Sequence, residues 1–185
     1  MAEGKDRPWI AFFSQTGTEI VEIAKHFGFG PDVIVTNERP ESLRKINPEI
    51  KDLGKIVTLP NKPTLEELEE VIGYYDKPIV TLHGWLRIMP PELCTKYTIF
   101  NGHPGLITKY PELKGADPQK KVFDMHNPPS HVGCVIHRAS DEVDSGEILM
   151  ESSMNNSYYS EKRLTEALHE MAGYMWVSFL EDKLE

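Results

Sequence analysis

Three polar residues of complementary chemistry stand at the ends of two apolar segments. Asn101 and His103 follow the apolar-leaning run 96–100, and Asp144 lies in an acidic turn after a second strand-like run, 132–137. Asn101 and His103 are two positions apart, so in an extended backbone their side chains leave on the same face. An amide, an imidazole and a carboxylate brought together at strand ends are suited to proton transfer with stabilisation of an oxyanion.

Taken singly, each of these residues also has an ordinary structural role. An Asn after a strand and an Asp close to a Gly are common turn residues. A lone histidine is more often a polar surface residue than a catalyst. The pattern that the three form together is therefore what points to chemistry.

Further motifs accompany these residues in a fixed order along the chain. They are His83–Met89, Asn101–Pro104, Lys109–Pro111, Gly133 with His137, and Asp144–Leu149. Together they resemble the folate-dependent formyltransferase family, most closely its glycinamide ribonucleotide branch, from residue 8 to 184 with weak agreement between 38 and 77. The resemblance implies a Rossmann-like α/β fold with a mostly parallel central sheet and flanking helices. It also implies formyl transfer from 10-formyltetrahydrofolate to an amine.

The resemblance gives each of the three polar residues a catalytic role. Asn101 would donate a hydrogen bond to the oxyanion that forms when the amine attacks the formyl carbon. His103, as an imidazolium, would stabilise that charge and protonate the leaving nitrogen. Asp144 would raise the proton affinity of the imidazole through its opposite charge.

The binding residues are also implied by the resemblance. We expect the folate to be bound between two segments, formed by Arg87, Ile88 and Met89 and by Ser140, Asp141, Glu142 and Val143. We expect the acceptor to be bound by Thr16, Gly17, Thr18, Glu19, Lys109 and Glu170. An ordinary place on a helix surface is an equally good interpretation of Glu170.

Glu19 departs from the family pattern, in which the loop that holds the acceptor's phosphate has an Asn at this position. We expect the carboxylate to occupy the backbone amides that a phosphate needs and to repel a dianion. The alternative is that Glu19 points to solvent. Residues 105–108 also differ from the family, and residues 114–119 lean toward the methionyl-tRNA branch. The acceptor therefore stays open between a glycinamide ribonucleotide-like molecule, an amino sugar and a modified nucleotide.

Strands and helices alternate in the predicted secondary structure. Predicted strands are 8–13, 32–36, 55–59, 78–82, 96–100, 132–137 and 147–152, and predicted helices begin near residues 18, 65, 118 and 160. A short helix with loops is expected between 38 and 54. Ser14 or Thr18 is the expected N-cap of the first helix, and Thr64 with Glu67 fits a capping box at the second. Such alternation indicates a mostly parallel sheet, with ligands at the carboxyl ends of its strands. His83, Asn101 and the Thr16–Thr18 turn all fall at that edge.

The composition bounds the class of protein. A chain of 185 residues, 39% hydrophobic and 26% charged, is expected to form one catalytic domain over 1–185. Its two cysteines give no disulfide framework, and it has neither a leader-like N-terminus nor an apolar run of roughly twenty residues, so we expect a cytoplasmic protein. The net charge of −9 disfavours a nucleic-acid polymer as partner and favours a small molecule. The oligomeric state is not predicted.

Three other functions fit parts of the sequence. A metal-dependent hydrolase could use His103 and Asp144, but the histidines and cysteines lack the spacing of metal ligands, so we predict no metal. A catalytically silent module could bind folate or a nucleotide on the same fold, although all three polar residues are present. A dinucleotide-binding dehydrogenase is disfavoured because Ser14–Gly17 lacks the three-glycine fingerprint.

Overall fold

The computed structural model describes residues 7–37 and 45–184. The strands are β1 (Trp9–Phe13), β2 (Val33–Thr36), β3 (Lys55–Thr58), β4 (Ile79–His83), β5 (Thr98–His103), β6 (His131–Arg138) and β7 (Ile148–Asn155). The helices are α1 (Thr18–Phe27), α2 (Leu65–Ile72), α3 (Pro91–Lys96), α4 (Pro118–Asp124) and α5 (Glu161–Leu184), with short 3-10 helices at Pro48–Asp52 and Pro111–Leu113.

The seven strands form one sheet in the order β3-β2-β1-β4-β5-β6-β7. Neighbours from β3 through β5 are parallel, whereas β6 runs antiparallel to β5, and β7 to β6. The chain leaves β1 toward β2 and β3 and then returns to place β4 on the other side of β1. Ligand crevices form at such reversals of strand order, outside the carboxyl ends of the strands. The predicted mostly parallel α/β sheet is confirmed.

The alternation of side chains along β1 builds a core on each face of the sheet. Trp9, Ala11 and Phe13 pack on one face with α1 and α5, and Ile10 and Phe12 pack on the other with α2 and α3. β1 is buried on both faces, which is why its sequence is an uninterrupted apolar run. None of the helices in the described residues is long and apolar enough to span a membrane.

Local signals explain most of the boundaries. Thr64 and Glu67 form the predicted capping box at α2, with reciprocal hydrogen bonds of 3.2 and 2.8 Å. The predicted cap of α1 is wrong. Its N-cap is Gly17, without a side-chain cap, while Ser14 Oγ accepts a hydrogen bond from the Leu86 amide.

One further region differs from the sequence-based expectation, and another agrees with it in its described part. Helix α3 was not predicted, and it is only a short helix that begins at Pro91 and ends before β5. Between 38 and 54 we expected a short helix and loops. A 3-10 helix occupies Pro48–Asp52, while residues 38–44 lie outside the described part of the chain.

Candidate active site

A pocket of about 710 Å³ opens at the reversal of strand order. Its walls come from the loop after β1, the end of β4, the end of β5, the turn between β6 and β7, and one side of α5. This volume is typical of a site for a small organic ligand. The polar residues singled out from the sequence can therefore be tested for whether they face one shared space.

Asn101, His103 and Asp144 come together in this pocket, as predicted. His103 Nδ1 lies 3.2 Å from Asp144 Oδ2, and Asn101 Nδ2 lies 3.2 Å from Asp144 Oδ1. The backbone amide of Gly115 donates to Asp144 Oδ2 at 2.8 Å. One carboxylate therefore holds both the amide and the imidazole.

His137 is a fourth member of the cluster, and the sequence analysis assigned it no role. It lies opposite Asn101 in the antiparallel β5–β6 register, so both side chains are on one face of the sheet. His137 Nε2 is 3.2 Å from Asp144 Oδ1 and 3.0 Å from Asn101 Nδ2. Its motif partner Gly133 was noted in the sequence, but only strand pairing places His137 against Asn101.

The hydrogen-bond partners define how protons are arranged. His103 Nε2 donates to the Leu113 carbonyl at 2.9 Å, because a carbonyl can only accept, and His137 Nδ1 donates to the Arg138 carbonyl at 3.0 Å. With a neutral His137, the Asn101 amide then donates to both His137 Nε2 and Asp144 Oδ1. Both hydrogens of the Asn101 amide are therefore used in hydrogen bonds within the cluster. To donate to an oxyanion in the pocket, the amide has to give up one of these bonds.

Burial and neighbouring groups shift the pKa values of His103 and Asp144. Burial lowers the pKa of His103, and the negative charge of Asp144 and the bond to Leu113 only partly offset it. The lowered pKa favours the neutral form of His103 before the reaction, and the imidazolium role that the resemblance implies stays a prediction. Burial by itself would raise the pKa of Asp144, but the neighbouring His137 side chain, the charge that His103 carries when protonated and the Gly115 amide together lower it.

Backbone geometry holds the cluster in place. Asp144 has a left-handed conformation, with φ of 48°, which aims its carboxylate back toward the ends of β5 and β6. Gly102, between the two catalytic candidates, packs against Trp176 of α5. A Cβ at Gly102 would lie 2.8 Å from Trp176 Nε1, so a larger residue would force β5 and α5 apart.

Most of the predicted folate-binding residues line one half of the pocket. Arg87, Ile88 and Met89 do so on one side, and Ser140, Glu142 and Val143 on the other, whereas Asp141 is exposed and lies outside the lining. The Arg87 guanidinium is used internally, in hydrogen bonds with Asn61 and with the Leu86 carbonyl. Ile88, 67% exposed, and Leu86, 55% exposed, leave apolar surface open on this half.

Glu19 lies in the other half of the pocket, with Thr16, Gly17 and Thr18. Its carboxylate neither takes the amides of that loop nor points freely to solvent. Instead Oε1 accepts from His83 Nδ1 at 2.6 Å, while the Thr18 amide donates to Thr16 Oγ1 at 3.3 Å. The position of the carboxylate differs from both sequence-based expectations, since neither included His83 as a partner, while the expected repulsion of a dianion stays a prediction.

The two remaining acceptor-binding candidates do not reach the pocket. Lys109 is exposed in the turn after β5, and Glu170 is exposed on α5 outside the lining. The neighbour of Glu170, His169, lines the pocket together with Glu161 and Glu22. Helical periodicity distinguishes residues 169 and 170 by face, but the side of α5 that meets the pocket depends on its packing against α1.

Metal ligation finds no support in the described ranges. Residues 7–37 and 45–184 contain no group of three or more His, Cys, Asp and Glu side chains that could hold a metal ion. The cluster around Asp144 is instead a set of hydrogen-bonded proton carriers and amide donors.

Comparison with known proteins agrees with this chemistry. Residues 23–180 match the family model described as formyl transferase. The phosphoribosylglycinamide formyltransferase of Dictyostelium discoideum is 32% identical over 94 residues, which are 45% of this chain and 44% of that protein. Its namesake from Escherichia coli (strain K12) is 29% identical over 90 residues, 48% of this chain and 40% of that protein. The matched stretches thus span less than half of these relatives.

Solved structures share the fold over nearly the whole chain. Phosphoribosylglycinamide formyltransferase from Anaplasma phagocytophilum superposes with a TM-score of 0.81 at 19% identity, covering 98% of this chain and 90% of that one. A formyltetrahydrofolate deformylase from Pseudomonas syringae superposes with a TM-score of 0.74 at 18% identity, covering 96% of this chain and 63% of that one. Since the family model matches well over half of the sequence, the chain belongs to the formyl transferase family.

Proposed function

We propose that this protein transfers a formyl group from 10-formyltetrahydrofolate to the amine of a small acceptor, by the cluster of Asn101, His103 and Asp144. The observation that carries the proposal is the place of this cluster. It lies in one pocket with an apolar, open half on the Arg87–Met89 side and a polar half on the Glu19 side. A flat heterocyclic donor and a polar amine can thus approach the same residues from opposite sides.

The reaction needs a temporary holder for one proton. The acceptor nitrogen attacks the formyl carbon, a new C–N bond forms, and the bond from that carbon to the donor nitrogen breaks. The proton lost by the acceptor nitrogen finally resides on the donor nitrogen. His103 is suited to carry it, because neutral imidazole can take a proton at Nδ1, where Asp144 Oδ2 lies 3.2 Å away and Leu113 already satisfies Nε2.

Asn101 supplies the electrostatic part of catalysis. As negative charge develops on the formyl oxygen, the amide can shift one hydrogen from His137 Nε2 to that oxygen. Asp144 keeps the other hydrogen, so the side chain stays in place while it changes partner. His137 thus acts as a positioning residue for Asn101 and Asp144.

The folate half fits a folate by its surface. Leu86, Ile88 and Val143 are 55%, 67% and 48% exposed, which is an open apolar lining that a planar ring system would cover. The Arg87 guanidinium already donates a hydrogen bond to the Asn61 carbonyl, so it does not need the ligand as a partner. Backbone N–H and C=O groups of the two flanking segments would then form the hydrogen bonds with the polar edge of the ring.

The acceptor is proposed as a small molecule with a primary amine, related to the phosphoribosylglycinamide in the names of the relatives. An amino sugar or a modified nucleotide belongs to the same proposal. We propose further that residues 1–185 form a single catalytic domain that works in the cytoplasm without a metal, a nucleic-acid polymer or a membrane as partner.

The test is a reaction with 10-formyltetrahydrofolate labelled with carbon-13 in the formyl group, with and without a panel of amines. The expected result is amine-dependent release of tetrahydrofolate, with the label recovered as formamide. Release that needs no amine would establish a deformylase, the activity named for one structural neighbour. Folate binding without release would establish the catalytically silent module. Asn101→Ala is the control that separates enzymatic from spontaneous loss of formyl.

A further inference from the structure

A buried chain of hydrogen bonds indicates which ring nitrogen of His83 carries the proton toward Glu19. Trp9 Nε1 donates to Thr81 Oγ1 at 2.8 Å, and an indole can only donate. The single hydrogen of the Thr81 hydroxyl is then free to go to His83 Nε2, also at 2.8 Å. Nε2 is therefore the acceptor, and Nδ1 carries the proton that it donates to Glu19. The ring, whose side chain is 1% exposed, is packed against Trp176 and has no polar atom left for a ligand.

Glu19 is the end of that chain that faces the pocket. Its side chain is 22% exposed, and only Oε1 has a partner among the described residues. The carboxylate is thus held in position by His83 while its other oxygen is left able to accept hydrogen bonds. A carboxylate that is held but incompletely satisfied can bind hydrogen-bond donors.

The wall around Glu19 adds more negative charge. Glu22 of α1 lines the pocket one helical turn after Glu19. Burial raises the pKa of Glu22, and the negative charge of Glu19 raises it further, so the two carboxylates already repel each other. His169 and Lys25 oppose part of this rise in the pKa of Glu22, but Lys25 is paired with Glu49, and none of the described lysines or arginines of α1 and α5 lines the pocket.

We propose that Glu19, held by His83, is a specificity residue that selects an acceptor whose end remote from the amine bears hydrogen-bond donors and no anionic group. This inference rests on the proposed formyl transfer and on the acceptor occupying the Glu19 half of the pocket. The donors can be sugar hydroxyls or an ammonium group, because both offer N–H or O–H hydrogens to a carboxylate. A phosphomonoester offers only acceptor oxygens and negative charge, and like charges placed together in an enclosed site oppose binding.

Three probes that differ at one carbon test the inference. They are glycinamide ribonucleotide with its 5′-phosphate, the riboside with a 5′-hydroxyl, and the 5′-amino-5′-deoxy riboside with a 5′-ammonium. Binding of each is measured by calorimetry, in the presence of tetrahydrofolate, to the wild type, Glu19→Gln and Glu49→Gln. Glutamine can still accept the His83 hydrogen bond, so the first variant removes charge with little change of shape. Glu49→Gln removes the same charge from an exposed residue, 53% accessible, outside the pocket.

The wild type is expected to bind the hydroxyl or the ammonium probe at least about tenfold more tightly than the phosphate probe. Glu19→Gln should remove most of that difference, and Glu49→Gln should keep it. The tighter of the two favoured probes identifies the source of the donors. A wild-type preference for the phosphate, or a ratio unchanged in Glu19→Gln, overturns the inference, as does a failure of all three probes to bind either protein.

A turnover assay on the same samples separates this inference from the proposed function. If the predicted binding preference holds but no probe receives the labelled formyl group, the proposed reaction fails while the specificity of the pocket stands. If formyl is transferred equally well to all three probes, the reaction stands and the role of Glu19 fails. Glu19→Asn, whose shorter side chain loses reach to His83, gives a second variant that should also lose the preference.

Discussion

The pocket contains two histidine–carboxylate pairs, His103–Asp144 and His83–Glu19, which differ in how completely the carboxylate is enclosed. The Asp144 side chain is 9% exposed, and its two oxygens meet Asn101, His137, His103 and the Gly115 amide. The Glu19 side chain is 22% exposed and meets His83 through one oxygen. An enclosed carboxylate has its charge directed at fixed protein groups, whereas an open one keeps part of its charge for a ligand. We therefore propose that the same residue types serve proton transfer in one place and recognition in the other.

The largest expected effect comes from removing the charge of the enclosed pair. Asp144→Asn should lower formyl transfer by at least about 10²-fold, because His103 loses the partner that stabilises its protonated form. Asn also tolerates the left-handed conformation at this position, so the fold should persist. The measurement is single-turnover transfer, with thermal unfolding to confirm folding and Asp124→Asn, an exposed carboxylate on α4, as control. Near-normal turnover by the folded variant would contradict the proposed role of the His103–Asp144 pair in proton transfer.

A smaller effect is expected at His137, which supports the enclosed pair without meeting the ligand in this scheme. His137→Gln should lower kcat by roughly tenfold, because the acceptor that holds the Asn101 amide is displaced. The Michaelis constant for the folate should change little, because the loss is one of orientation. The matched control is His131→Gln at the start of the same strand. An equal rise in both Michaelis constants with kcat intact would instead place His137 in substrate binding.

The pH dependence of stability should show that burial governs the resting state of His103. Its folded pKa is lowered below the ordinary value of 6.5, so the unfolded chain binds a proton that the folded chain does not. This contribution is full above about pH 6.5 and is lost as the pH falls below it. Each unit of lowering corresponds to about 1.4 kcal/mol.

Urea unfolding at pH 7.5, 6.5 and 5.5 measures this contribution. Wild-type stability should fall over that range by more than the stability of His103→Gln does, while exposed His26→Gln should follow the wild type. The lowered pKa of Asp144 adds a second loss in stronger acid, beginning near its ordinary value of 3.8. A wild type that is stabilised between pH 7.5 and 5.5 would show that His103 is protonated at rest.

The smallest expected effect is that of chelation. Treatment with EDTA should leave formyl transfer unchanged, because the proposed catalysis needs only proton transfer through His103 and hydrogen bonding by Asn101. The assay compares rates before and after dialysis against the chelator. Loss of activity that one divalent ion restores would revive the metal-dependent hydrolase and would redefine the enclosed pair as a ligand pair.

Local pattern was sufficient for much of the fold. The apolar run of β1 predicts a doubly buried strand, and the pairing of Thr64 with Glu67 predicts the start of α2. Helix α3 was not predicted because its six residues, which begin at Pro91 and end just before β5, are too few to show helical periodicity. The cap of α1 was wrong because Ser14 is used in a hydrogen bond to Leu86, which is distant in sequence.

For the site, the sequence determined which chemical groups are present and that Asn101 and His103 share a face. Only the tertiary structure decided their partners. His137 joins Asn101 through the antiparallel register of β5 and β6, and Glu19 meets His83 because the loop after β1 lies beside the end of β4. Side-chain periodicity is a local property of the backbone, whereas contacts between distant segments depend on strand order and packing. Those contacts enclose the carboxylate of Asp144 and leave the carboxylate of Glu19 partly exposed to the pocket.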